Sequence, residues 1–264
     1  MIQLDDIVVT FNKGTPLEAT ALRNVSLSVP PGQFLTVIGS NGAGKSTSLN
    51  VMAGIVPVEQ GRVTIDGVDV TAWPVHRRAR LVSRVFQDPK MGTCESLSIL
   101  ENFALAQGRT EPRGLGFAIR PGARKQIAER LALLDLGLEK RLDDKVGLLS
   151  GGQRQAVSLL MATTGDTRVL LLDEHTAALD PKTADFVVQL TQRIVHELGL
   201  TAVMVTHSMA QALHFGDRTV MFHRGRIIFD AGGEERRKLG VADLLTLFKR
   251  DQGEDLTDDA LLLS

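Results

Sequence analysis

The spacing of apolar positions along this chain predicts strands first, then a helical stretch, then strands and helices in alternation. Residues 2–11 alternate loosely around Ile7-Val8-Val9, and residues 22–29 do the same, which predicts two half-buried strands. The loop 14–20 joins them, so they read as an antiparallel β edge. Phe34-Leu35-Thr36-Val37-Ile38 is nearly continuous in its apolarity, as a strand covered on both faces must be. A short strand and turn follow at 61–67, and another strand at 81–87 ends before Pro89. From 88 to 160 strand-like runs disappear. There Ile127, Leu131 and Leu134 fall at helical spacing with Gly137 as a stop, and residues 108–122, rich in Gly, Arg and Pro, read as an exposed loop. Val169-Leu170-Leu171-Leu172 is again a buried strand. Asp180 is placed to cap a helix with Pro181 at its first position, Val187, Leu190, Ile194 and Leu198 as its apolar stripe, and Gly199 as its end. A strand at 201–206, a further strand beyond Arg226 and a helix near 241–250 complete the pattern.

These elements predict one α/β domain over 1–264. Residues 1–87 and 161–250 form a core with an antiparallel β edge, 88–160 a mainly helical subdomain inserted in it, and 251–264 an acidic, solvated and partly disordered tail. The basic cluster His76, Arg77, Arg78 and Arg80 reads as a solvated helix face. The composition is that of an ordinary globular chain, with 43% hydrophobic and 23% charged residues. A net charge of −1 supplies no general attraction to nucleic acid or anionic lipid. Cys94 is the single cysteine, which excludes an internal disulfide and suits a reducing compartment. The first residues carry no signal-peptide pattern, and no apolar run approaches the roughly 18 residues a membrane span needs.

The chemistry concentrates in three stretches. Gly39-Ser40-Asn41-Gly42-Ala43-Gly44-Lys45-Ser46-Thr47 lies between a predicted strand and a predicted helix, the context that makes G-x(4)-G-K-[ST] a P-loop. Its backbone N–H groups would cradle phosphate oxygens, Lys45 would neutralise the β/γ-phosphates and the Ser46 hydroxyl would ligate Mg²⁺. Asp173 and Glu174 close a buried strand. Asp173 suits the Mg²⁺ site, often through water, and Glu174 points differently, toward a water in line with the γ-phosphate. Leu149-Ser150-Gly151-Gly152-Gln153 opens a helix and so presents a second phosphate-binding element. One chain hardly needs two such elements for one γ-phosphate, which points to a dimer in which the second faces the nucleotide of another copy.

Together with Gln87, Ala178-Leu179-Asp180 and His207, these motifs occur in the order seen in the ATP-binding subunits of ABC transporters, which the chain resembles over nearly its whole length. The resemblance implies the ABC ATPase fold, with a P-loop NTPase core, and the cofactors ATP and Mg²⁺. It implies that Phe11 stacks on adenine, with a core aromatic as the competing role, and that Gln87 senses Mg²⁺ and the attacking water. It implies that Ser150, Gly151, Gly152 and Gln153 complete the other subunit's site, that Asp180 crosses between the two sites and that His207 contacts the γ-phosphate. His175, His196, His214 and His223 read as structural or exposed. The partners implied are a second copy of the chain, an integral membrane permease docking near 87–100 beside Cys94, and an extracytoplasmic substrate-binding protein, with no nucleic acid. The location implied is the cytoplasmic face of the membrane. His175 stands where many family members carry proline. The stretch from Glu174 to Lys182 resembles importers grouped with amino-acid uptake; an exporter, or a soluble ABC ATPase acting on ribosomes or DNA, is the alternative.

Overall fold

The computed structural model describes residues 1–109, 119 and 121–252. Strands β1 (Ile2–Phe11), β2 (Ala19–Val29) and β3 (Phe34–Gly39) lead into helix α1 (Lys45–Ala53), then strands β4 (Gln60–Ile65) and β5 (Val68–Asp69), the single-turn α2 (Val75–Arg78) and strand β6 (Val82–Val85). Helices α3 (Ile99–Gln107), α4 (Ala123–Ala132) and α5 (Gly151–Ala162) follow. The chain then alternates through β7 (Val169–Asp173), α6 (Pro181–Glu197), β8 (Thr201–Val205), α7 (Met209–His214), β9 (Arg218–His223) and β10 (Arg226–Gly232), and ends in α8 (Gly233–Arg237) and α9 (Val241–Gln252). Residues 253–264 of the acidic tail and most of the loop 108–122 lie outside the described residues.

Two sheets form. One is antiparallel in the order β2-β1-β4-β5; the other runs β10-β9-β3-β8-β7-β6, with β9, β3, β8, β7 and β6 parallel and β10 antiparallel at its edge. The period of two along each central strand distributes its side chains to two different cores. Leu170, Leu172, Ala202 and Met204 join one with α5, α6 and residues of α3 and α4 such as Phe103, Ile127 and Leu131. Val169, Leu171, Val203 and Val205 join the other, with α1 residues Leu49 and Met52 and the inner face of the antiparallel sheet. Those strands are almost wholly apolar because neither face meets water.

Three local expectations are corrected. Helix α4 stops at Ala132, earlier than Gly137, because the chain turns at Asp135 with φ +55°. Leu198 does not continue the buried stripe of α6; as its C-terminal cap it is 46% exposed, while Val187, Leu190 and Ile194 are buried. In the basic cluster Arg78 is not solvated. It is 2% exposed, and its guanidinium donates to the carbonyls of Val51 (2.6 Å), Met52 (3.3 Å), Thr71 (3.1 Å) and Val70, satisfying the last turn of α1. Its neighbour Arg77 lies over the Trp73 ring, 3.7 Å from the centroid.

Candidate active site

Because β3, β6, β7 and β8 are parallel, their C-terminal ends deliver four segments to one edge of the sheet. The end of β3 becomes the glycine loop, β6 runs to Phe86-Gln87, β7 ends at Asp173-Glu174 and β8 at Thr206-His207. Only glycine fits at the start of the loop: Gly39 has φ +145°, and a Cβ there would sit 2.2 Å from the Phe222 carbonyl oxygen. Lys45 opens α1 and is 5% exposed; its Nζ donates to the carbonyls of Gly39 (2.7 Å) and Ser40 (2.9 Å), so the ammonium is held beneath the loop. Burial lowers its pKa, opposed by the charges of Glu174 and Asp173.

Ser46 Oγ donates to Asp173 Oδ1 at 3.3 Å. A hydroxyl and a carboxylate oxygen facing each other are hard donors of the kind Mg²⁺ takes, so these residues fit the ion. No cluster of three or more His, Cys, Asp or Glu side chains suited to a metal occurs among the described residues. Mg²⁺ sites at nucleotides commonly take part of their ligand set from phosphate and water oxygens.

Glu174 adopts φ +47°, a left-handed conformation costing a non-glycine residue roughly 1–3 kcal/mol. In this conformation its Oε2 lies 2.6 Å from His207 Nε2. The hydrogen bond to His207 holds the Glu174 carboxyl below the usual carboxylate range. Lys45, Ser46, Asp173, Glu174 and His207 are thus brought together. Gln87 is exposed two residues beyond Val85, which pairs with Leu172 on β7, so it stands beside them at the same edge. Phe11, 41% exposed, pairs with Ala19 at the end of β1. Ala21, two residues further along β2, backs the loop at Gly44.

The signature residues stand apart. Ser150 caps α5 by accepting from the Gln153 N–H, and the Gln153 side chain returns the bond to the Ser150 N–H. Among the described residues no hydrogen bond or ion pair joins 150–153 to the glycine loop. Gly152 instead lies against α6: a Cβ there would come 2.3 Å from Thr183 Cγ2. Asp180, as expected of an N-cap, accepts from the Thr183 N–H, with Pro181 following.

Sequence reasoning passed over Arg84, Asn50, Arg154 and Gln155. Arg84 on β6 pairs with Asp173 and donates to Asn50 Oδ1 at 2.6 Å. Its signal was a lone charge inside a strand otherwise suited to burial, which demands a partner. Gln155 of α5, fully buried, donates to the Phe86 carbonyl at 3.1 Å, and Arg154 pairs with Glu95. The signature helix is thereby tied to the residue preceding Gln87. Beside it a groove of about 340 Å³ is bordered by Phe86, Met91, Cys94, Leu105 and Arg109. No helix of the described residues is long and apolar enough to cross a membrane.

A phosphate loop, a carboxylate pair closing the neighbouring strand and a capped Ser-Gly-Gly-Gln helix on one parallel sheet define an ATP-binding cassette. The chain belongs to the ABC transporter family, whose profile matches residues 22–177. It is 41% identical to the tyrosine transport ATP-binding protein of Clostridioides difficile, over 94% of this chain and 99% of that protein. It is 33% identical to the methionine import ATP-binding protein MetN of Caulobacter vibrioides, over 97% of this chain and 74% of that one. Among solved structures, the ADP conformation of the cassette MJ1267 aligns with TM-score 0.80 at 26% identity, covering 96% of this chain and 99% of that one. The dimeric post-hydrolysis cassette MJ0796 bound to ADP and Pi aligns with TM-score 0.74 at 29% identity, covering 88% and 98%. The protein is an ABC ATPase that binds ATP with Mg²⁺ and belongs with the ATP-binding subunits of importers.

Proposed function

We propose that this chain powers import of an amino acid or similar small solute through a separate permease, with Glu174 as the base for ATP hydrolysis. The observation that carries the catalytic part is the 2.6 Å contact between Glu174 and His207 on the sheet edge that also holds Lys45, Ser46 and Asp173. In this reading the β/γ-phosphates lie on Lys45 and the N–H groups of residues 39–47, and Phe11 stacks on the adenine, an interaction worth about 1–3 kcal/mol. Mg²⁺, held by Ser46 and Asp173 with Gln87 nearby, would neutralise charge developing on the phosphate oxygens. Glu174 accepts the proton of the attacking water, and His207 orients that carboxylate and meets the γ-phosphate. Residues Ser150, Gly151, Gly152 and Gln153 of a second copy close the nucleotide from the opposite side, and Asp180 crosses between the two sites. The dimeric neighbour bound to ADP and Pi supports that arrangement.

The division into a nucleotide core and a helical subdomain over 88–160 gives the permease a place to dock: the groove beside Phe86 and Cys94. Through the permease the chain sits on the cytoplasmic face of the membrane, and an extracytoplasmic binding protein delivers the solute. The names of the tyrosine and methionine transport relatives support an amino acid as cargo. Two measurements test the proposal. Glu174→Gln lowers ATP turnover by about 10²-fold or more while ATP still binds; near-normal hydrolysis refutes the role of Glu174. Purification from detergent-solubilised membranes yields a multi-span protein at equal copy number together with a binding protein, whereas recovery with ribosomal or DNA-repair proteins refutes the transport reading.

A further inference from the structure

Four side chains form a ring with helix α1 next to the glycine loop. Ser46 and Asn50 lie four residues apart on α1 and so share one face of that helix. Ser46 Oγ contacts Asp173 Oδ1 at 3.3 Å, Arg84 holds Asp173 through the other oxygen, Oδ2, and the second arm of the guanidinium donates to Asn50 Oδ1 at 2.6 Å. Arg84 and Asp173 each keep about 15% of their side-chain surface in contact with solvent, so water competes weakly for this pair. The Arg84 guanidinium also faces the Phe86 ring, 5.0 Å from its centroid, which limits its freedom further.

The two oxygens of Asp173 are thereby assigned different partners. An unsupported carboxylate at the end of a strand can rotate about its last bond. Here the rigid fork of Arg84 takes Oδ2, and Asn50 fixes the fork, so Oδ1 is turned toward Ser46. From this geometry we infer that Arg84 is a positioning residue for the Mg²⁺-binding carboxylate, with Asn50 as its anchor. The inference rests on the ATPase reading of the site. Its expected size is that of an outer-shell partner of a metal ligand, whose loss weakens metal binding about 10- to 100-fold. Lysine cannot replace it, because a single ammonium cannot span Asp173 and Asn50 in this fork geometry.

The test is a Mg²⁺ titration of fluorescent ATP-analogue binding in a Glu174→Gln background, where turnover does not interfere. Arg84→Gln raises the Mg²⁺ concentration needed for half-maximal tightening by about tenfold or more, and leaves nucleotide affinity in EDTA within about twofold of the parent. Asn50→Ala moves the Mg²⁺ requirement the same way by a smaller factor, which tests the ring even if Arg84→Gln folds poorly. Arg84→Lys keeps the defect. An unchanged or lowered Mg²⁺ requirement, full restoration by lysine, or a parallel loss of binding in EDTA each overturns the assignment. A Glu174→Gln parent that binds no nucleotide with or without Mg²⁺ refutes the ATPase reading itself, and the assignment of Arg84 with it.

Discussion

His175, next to the strained Glu174, turns inward rather than toward the site: it is 1% exposed, with Nε2 3.1 Å from Thr191 Oγ1 on α6. Burial lowers its pKa from 6.5 to about 4. The unfolded chain therefore takes up a proton below about pH 6.5 that the folded chain refuses until about pH 4. Stability from this residue is complete above that window and is lost as pH falls through it, by about 2 kcal/mol at pH 5 and about 3 kcal/mol at pH 4. Denaturant unfolding in EDTA at pH 7 and pH 5 checks this; His175→Gln gives a visibly shallower fall, and an equal fall in both proteins contradicts it. Arg78 is a buried cation whose role is likewise internal. Arg78→Met removes donors from four carbonyls and costs about 3 kcal/mol, measured by the same unfolding curves, whereas Arg77→Met stays within about 1 kcal/mol. The sequence offered no way to separate these two arginines, because α2 is a single turn and has no periodicity to distinguish an inner face from an outer one.

At the scale of elements, legibility followed burial. Strands β3, β7 and β8 could be read because both faces are covered and every position is constrained, and the P-loop because its glycines and Lys45 serve geometry that few sequences satisfy. The cap at Asp180-Pro181 was equally plain, being a purely local interaction. The partners of Arg84, Asn50 and Gln155 were not visible, since each is distant in sequence: Asp173 lies on a strand paired with β6 only after α3, α4 and α5 have intervened. Gly152 belongs to both groups. As part of Ser-Gly-Gly-Gln it was singled out for a phosphate, yet the fold also uses its missing side chain to let α5 meet α6 at Thr183, the residue whose N–H Asp180 caps. Gly152→Ala forces Thr183 aside and costs about 1–3 kcal/mol of stability. Thr183→Ser removes the methyl group that a Cβ would strike, so the double variant regains most of the loss in thermal unfolding. No recovery means the contact is not the source.

On the scale of the whole molecule, the two phosphate-binding elements emerge from different layers, one from the end of β3 and the other from the start of α5 against α6. They bond to different partners. Lys45 is tied to its own loop and Ser150 to Gln153, so neither holds the other within one chain. If two copies close head to tail, each nucleotide takes its P-loop from one copy and its signature from the other. A Lys45→Ala chain and a Gly151→Asp chain, each inactive alone, then complement on mixing. The mixed dimer has one site with both defects and one with neither. Random pairing makes half the dimers mixed, and each retains one working site of two, so ATPase activity returns to roughly a quarter of the unsubstituted level where the sites work independently. Strict mutual dependence of the sites keeps the mixture inactive, but in that case the mixed dimer still traps one ATP analogue per two chains, which equilibrium binding with a labelled analogue counts. A site completed within one chain gives neither result, since every P-loop would then sit in the same chain as a defect, and mixing would add nothing to either variant alone.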